Sequence, residues 1–121
     1  MAITVTTPQH GTMPGDGFIL NGVSADASGC EELKAAPATG ISIVVDDLTI
    51  NNGAGAQSIT IGEGETTGAV TTALIGPIAM AANTSLQFQF RHGMKLTAAT
   101  SLTVDSTGAT ALCIFAQGRV E

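Results

Sequence analysis

Tryptophan and tyrosine are absent from this sequence, and its 121 residues include only four phenylalanines. A hydrophobic core built from such a chain must be mainly aliphatic, because few large rings are available to fill it. Sugar-binding β-sandwiches normally stack pyranose rings on exposed tryptophan or tyrosine. The composition therefore argues against carbohydrate recognition.

Positive charge is scarce as well. Four basic residues stand against ten acidic ones, which gives a formal net charge of −6. Nucleic-acid affinity comes largely from basic side chains that contact phosphates, so nucleic acid is not an expected partner. No apolar run approaches the ~20 residues that a membrane span requires, and the first residues lack the pattern of a signal peptide. We expect no membrane contact and a protein made in a cytoplasm.

Cysteine is represented only by Cys30 and Cys113, which are far apart in the chain and belong to no C-x-x-C motif. In a reducing compartment, such residues are expected to be buried thiols that pack as small apolar groups. A disulfide between them is the alternative.

The side chains that could carry chemistry form no recognisable constellation. His10 and His92 are isolated, so no metal site is expected. Asp46 and Asp47 are adjacent and would point to opposite faces of a strand, which does not suit a catalytic carboxylate pair. A Cys113–His92 dyad is conceivable, but the apolar context ALCIFA would make this thiol unreactive. The sequence predicts no catalytic, metal-binding or cofactor-binding residue and no enzyme.

Threonine, glycine and β-branched aliphatic residues are abundant, in short apolar runs separated by turn signals roughly every 8–12 residues. This pattern predicts about eight strands in an all-β fold, an antiparallel two-sheet β-sandwich with jelly-roll wiring. The sandwich is expected to form a single domain over residues 17–121. Its last strand, TALCIFAQG, is apolar on both faces, which predicts a central strand or a subunit interface.

Local signals predict where several strands end. The segment NNGAGAQ (51–57) contains an Asn-Gly pair and predicts a tight hairpin, whereas GEGETTG (62–68) predicts a glycine-rich loop. The strand AVTTALIG is expected to stop at Pro77. The segment CEELKAAPATG (30–40) predicts either a helical turn or an irregular edge, because Pro37 limits any helix.

Two further positions are expected to interrupt strands. The Asn21-Gly22 pair predicts a bulge or a tight turn within GFILNGVSA. The Asp46-Asp47 pair breaks the alternation of ISIVVDDLTIN and predicts a bulge or bend between two short strands. By contrast, SLQFQF (85–90) alternates regularly, with Leu86, Phe88 and Phe90 on one face.

Residues 1–16 are broken by prolines and glycines, although Ile3 and Val5 alternate with threonine as in a strand. We expect an extended N-terminal arm that is either frayed or ordered by pairing with another chain. Ile3 and Val5 are candidate protein-interface residues, with core packing as the alternative for the apolar positions. The last strand adds three more candidates: Leu112, Ile114 and Phe115.

Residues 75–118, which begin IGPIAMAANTSLQFQFRHG, resemble a group of small virion proteins of tailed bacteriophages. The shared pattern is glycine-proline, an apolar pair, AAN, an alternating strand that ends in phenylalanine and a short basic turn. It continues with LTA, LTVDSTGA and a final apolar strand. The preceding segment ISIVVDDLTINNGAGAQSITIGEG fits a hairpin of such proteins, so the resemblance covers residues 41–118.

The resemblance implies a jelly-roll capsid decoration protein, or cement protein, which binds the outer surface of a phage head and stabilises contacts between major capsid subunits. It implies the major capsid protein as partner, a homotrimer, a location on the capsid surface of the virion, and an arm that reaches a neighbouring subunit. It carries over no catalytic residues. Two other functions stay open: a jelly-roll component of a tail tip or fibre, and a carbohydrate-binding β-sandwich module.

Overall fold

The computed structural model describes residues 3–6, 17–24, 30–108 and 111–121. The regular elements in these ranges are β-strands, and none of the described residues belongs to a helix that could cross a membrane. The strands, in chain order, are β1 (Ile3–Thr6), β2 (Gly17–Ser24), β3 (Glu31–Lys34), β4 (Ile43–Asn52), β5 (Gln57–Thr66), β6 (Ala69–Met80), β7 (Ser85–Lys95), β8 (Leu102–Ser106) and β9 (Leu112–Val120).

These strands form two antiparallel sheets. Sheet A has the order β1-β2-β9-β4-β7, and sheet B has the order β3-β8-β5-β6. Alternate side chains of both sheets meet in one aliphatic core, where Leu48 and Ile50 of sheet A and Ile59 and Ile61 of sheet B are fully buried. Removing these side chains from water is the main force that holds the sheets together. The predicted all-β, two-sheet antiparallel sandwich is confirmed.

Part of the predicted N-terminal arm is a strand. Residues 3–6 form β1, which pairs antiparallel with β2 of the same chain. Ile3 and Val5 pack against the core, whereas Thr4 and Thr6 are exposed. The rest of the predicted arm, residues 1–2 and 7–16, lies outside the described residues.

Strand β2 is regular across Asn21-Gly22, so the bulge or turn predicted there is wrong. It pairs without a register shift with β1 on one side and with β9 on the other. A Cβ atom at Gly22 would lie 2.8 Å from Leu33 and 2.9 Å from Ile3 side-chain carbons. The glycine therefore makes room for two core side chains rather than for a turn.

Strand β4 is irregular at Asp46, as the break in its alternation predicted. Asp46 is the extra residue of a β-bulge opposite β9. On the other side, the partners on β7 skip from Met94 to Gln89, so residues 90–93 are looped out of the ladder. The strand nevertheless continues to Asn52, and the predicted division into two short strands is wrong.

The segment 51–57 does not close the predicted hairpin but carries the chain from sheet A to sheet B. The buried side chain of Asn52 organises this corner. Its amide nitrogen donates to Gly55 O at 3.0 Å and to Ala81 O at 2.9 Å, and its oxygen accepts from Gln57 Nε2 at 2.6 Å. The hairpin prediction failed because an Asn-Gly pair signals a turn without specifying the sheet that each flanking strand joins.

The hairpin of this region is instead formed by β5 and β6, and the predicted loop at 62–68 is mostly strand. Its turn is Thr67-Gly68, where both residues have positive φ, 51° and 78°, as a two-residue mirror-image turn requires. A Cβ atom at Gly62 would lie 2.6 Å from the backbone oxygen of Thr72. This glycine therefore serves the close approach of two strands, not a loop.

The end of the β5–β6 hairpin folds back over the outer side of sheet B. Gly64 O accepts a hydrogen bond from Thr103 Oγ1 at 3.0 Å, and Gly68 O accepts one from the backbone N–H of Cys30 at 2.7 Å. Thr103 is only 1% exposed, although its neighbours along β8 face the core. Sheet B thus covers part of its own outer face.

Of two further predictions about strand ends, the structure contradicts one and agrees with the other. Strand β6 continues through Pro77 to Met80, so the predicted stop at the proline is wrong. The proline is tolerated because β6 is an edge strand whose register shifts beside Pro77, and a missing N–H is acceptable at such a position. The segment 30–40 contains β3 and no helical turn. Its register shifts between Glu32 and Lys34, which agrees with the predicted irregular edge.

Candidate protein-binding face

The outer face of sheet A presents mainly amide and hydroxyl side chains. Residues that are paired across neighbouring strands share a face, so the register defines rows of side chains. The central row consists of Asn21, Phe115, Thr49 and Gln87. The rows beside it, in the same strand order, are Val23, Cys113, Asn51 and Ser85 on one side and Ile19, Gln117, Asp47 and Gln89 on the other.

Apolar side chains are exposed within this polar face. Phe115 lies in the central row and is 36% exposed, and Val23 lies in the neighbouring row and is 47% exposed. Exposed Phe115 forgoes part of the roughly 1.5–3 kcal/mol that burial of such a side chain provides. An aromatic residue surrounded by uncharged polar groups is the composition found at the centre of protein interfaces.

Charge is divided unequally between the two sheets. The acidic residues of sheet B and its margins outnumber its single basic residue by five to one: Glu31, Glu32, Glu63, Glu65 and Asp105 against Lys34. Sheet A and the C-terminus carry three of each sign: Asp46, Asp47 and Glu121 against Arg91, Lys95 and Arg119. The other two acidic residues, Asp16 and Asp26, lie outside the described residues. Sheet A is therefore neutral overall on an acidic protein.

Four of the charges on sheet A form a neutral cluster at one end of the face. Arg119 Nη1 donates to Asp46 Oδ1 at 2.8 Å, and Arg119 Nε donates to Glu121 Oε2 at 3.2 Å. Lys95 Nζ lies 3.7 Å from Glu121 Oε1. The hydrogen bonds that Arg119 donates to these carboxylates, Asp46 first and then Glu121, raise the pKa of its guanidinium. Such exposed pairs add little stability. Their charges balance, so the cluster adds no net charge to the face.

The structure separates the five candidate interface residues. Leu112 and Ile114 are buried in the core, and Ile3 and Val5 pack against it from β1. Phe115 is exposed on the outer face of β9, which is central in sheet A as its apolar run predicted. The other residues of the face were missed by the sequence analysis, because only cross-strand pairing brings them together.

The described residues contain no group of three or more histidine, cysteine or acidic side chains that could hold a metal ion. Both thiols are free. Cys113 lies on the face and donates to Asn21 Oδ1 at 3.1 Å, whereas Cys30 is buried beside sheet B. Burial raises the pKa of the Cys30 thiol above its ordinary value of 9.0, with a smaller opposing effect from its hydrogen bond with Thr103.

A shallow cavity lies at the Val23 end of the face and has a volume of about 200 Å³. Small-molecule sites usually enclose ~300–1,000 Å³. The cavity is thus smaller than a typical ligand site and is better regarded as a shallow depression in the protein surface. It is lined by Val23, Asn51, Asn52, Gly53, Ala111, Leu112 and Cys113.

No protein-family model matches the chain, and no curated protein matches its sequence.

Proposed function

We propose that this protein is a structural virion protein that decorates and cements a phage head, binding its outer surface through the outer face of sheet A. The observation that carries this proposal is the exposure of Phe115 within a charge-balanced, amide-rich face on an otherwise acidic protein. Residues 75–118, which resemble small phage virion proteins, include this phenylalanine, all of β7 and residues 112–118 of β9.

Jelly-roll wiring is part of the proposal, and the pairing of the strands supports it. Four antiparallel pairs are nested in the sequence: β2 with β9, β3 with β8, β4 with β7, and β5 with β6. This is the order that one long hairpin would give if it were wound around the core, with its tip at Thr67-Gly68. Jelly rolls of this kind are common in viral capsid proteins.

In this proposal the protein acts by adhesion, without catalysis. Packaged DNA pushes the shell outwards, and a rigid sandwich bound across neighbouring capsid subunits adds buried surface where those subunits would separate. The partner is the major capsid protein, and copies that associate with one another on the head would contact several of its subunits at once. Such multivalency makes modest individual contacts effective. Phe115 would be the buried anchor of each contact.

Thermal release of DNA from purified heads tests the proposal. Heads that lack the protein are mixed with the wild-type chain, which is expected to raise the temperature of DNA release. Phe115→Asp is expected to abolish the effect, because it places a charge at the centre of the contact. Ala79→Asp, on an exposed residue of β6 that is paired with the uncharged Ser58, is the matched control and is expected to behave as wild type. Equal release temperatures with and without the wild-type chain would refute cementing.

The position of the labelled protein on virions separates the remaining functions. Electron microscopy is expected to show label over the head. Label confined to the tail tip or fibres would instead establish a tail component, and specific binding to glycans would favour the carbohydrate-binding module.

A further inference from the structure

The described strands leave four sheet edges, and three of them carry features that oppose pairing with another chain. Strand β1 has only four residues. Strand β3 is equally short and is rich in charge, and β6 contains Pro77 and two register shifts. Short length, charge, proline and bulges are the usual protections of an exposed edge.

Strand β7 lacks these protections over its first five residues. Residues 85–89 contain no charged residue, proline or glycine, and among the described strands β7 pairs only with β4. The register is continuous with β4 up to Gln89, and the first charged residue, Arg91, lies in the looped-out segment 90–93. The backbone of 85–89 therefore offers a flat, uncharged edge for a further strand.

The inward side chains of this edge are incompletely covered. Leu86, Phe88 and Phe90 pack against the core but are only partly buried, unlike their neighbours Leu48 and Ile50 on β4, which are fully buried. The rings of Phe88 and Phe90 stack in parallel with centroids 6.2 Å apart. An added strand would bury these side chains further and supply partners for the backbone groups of the edge.

We propose that the β7 edge binds the β7 edge of a second copy of this chain, antiparallel and about a two-fold axis, so that two sheets A become one continuous sheet. A register centred on Gln87 uses only the regular residues 85–89 and keeps the apolar side chains of both strands on one face. It sets Leu86 against Phe88 on that face. On the other face, Gln87 meets Gln87 and Gln89 meets Ser85.

Charge favours a second copy as the occupant. Two acidic molecules repel each other, and like charges placed directly opposite in a sheet destabilise the pair. Pairing through β7 joins the neutral sheets A, and none of the residues 85–89 that would meet at the two-fold axis is charged. The uncharged sequence SLQFQF is also self-complementary, since amides face amides and apolar groups face apolar groups.

Charge reversal at the edge tests this pairing. The full chain is expected to have the mass of a dimer in solution. The double variants Gln87→Lys/Gln89→Lys and Gln87→Glu/Gln89→Glu should each associate at least about tenfold more weakly, because like charges then meet across the axis. An equimolar mixture of the two should recover the dimer as a heterodimer. Light scattering and native mass spectrometry measure these masses.

Two controls keep the result interpretable. Gln117→Lys adds the same charge to the outer face of β9, away from the edge, and is expected to leave the dimer intact. Thermal unfolding of all variants reports whether they fold. A wild-type monomer at all concentrations, a trimer, or double variants that dimerise as wild type would overturn the proposal. A trimer would leave head binding untouched, since that function does not depend on β7 pairing.

Discussion

Asn52 shows how a single polar side chain can fix the path of the chain between two sheets. Its backbone N–H donates to Thr84 O at 2.8 Å, while its side-chain amide binds the oxygens of Gly55 and Ala81. One buried residue thereby joins the β4–β5 corner to the β6–β7 turn. Buried carbonyl oxygens that lose such a donor keep the cost of desolvation without compensation.

We predict that Asn52→Ala lowers the free energy of unfolding by about 3 kcal/mol, because its buried hydrogen bonds with Met80 O and Gln57 Nε2 and its part-buried bonds with Gly55 O and Ala81 O are lost together. Urea unfolding followed by circular dichroism measures this change. The neighbouring variant Asn51→Ala is the control and should cost less than about 1 kcal/mol, since its oxygen accepts only an exposed bond from Ser85. Equal losses in the two variants would contradict the role assigned to the corner.

At the scale of elements, strand type was predictable, but strand ends and pairing were not. The sequence predicted both the alternation of Leu86, Phe88 and Phe90 and the irregularity at Asp46. Both are found in the structure. The glycines of segment 62–68 misled the sequence analysis. The small size of Gly62 serves close packing of β5 against β6, whereas Gly68 supplies the positive φ of the turn; no local pattern distinguishes these two roles.

The two glycines of the β5–β6 hairpin should respond differently to substitution. Gly62→Ala places a Cβ atom 2.6 Å from Thr72 O and 2.7 Å from Val70 Cβ, so we predict a loss of about 3 kcal/mol or more in unfolding free energy. At Gly68 no atom lies within 4 Å of the added Cβ. Gly68→Ala should therefore lower the free energy of unfolding by only about 1–2 kcal/mol, because alanine is strained at the positive φ of this position. Urea titrations compare both with wild type, and a milder effect at Gly62 than at Gly68 would contradict the packing account.

At the scale of the whole molecule, the two sheets differ in net charge and in how far their outer faces are covered. Sheet B is acidic and lies partly beneath its own hairpin, whereas sheet A is neutral and exposes Phe115. An acidic side facing solvent opposes unspecific association. A side with no net charge can approach an acidic or a basic partner without net repulsion.

This asymmetry predicts that attachment to heads depends little on salt. If the neutral face of sheet A makes the contact, affinity should change by less than about threefold between ionic strengths of about 0.05 and 0.5 M, because few charges are screened. Sedimentation of heads with labelled protein measures the bound fraction. The Phe115→Asp variant supplies the baseline for unspecific attachment. A steep dependence on salt would instead indicate that the acidic sheet B makes the contact.

The sequence by itself determined that this chain is an all-β antiparallel sandwich with an aliphatic core and an acidic balance, because alternation and composition are local properties. Only the tertiary structure decided which strands pair, and therefore which side chains share a face. Phe115, Asn21 and Thr49 are far apart along the chain but lie side by side on neighbouring strands of sheet A. The neutrality of sheet A and the unprotected edge of β7 are likewise properties of pairing, since a charge or an edge acquires its neighbours only when the sheets form.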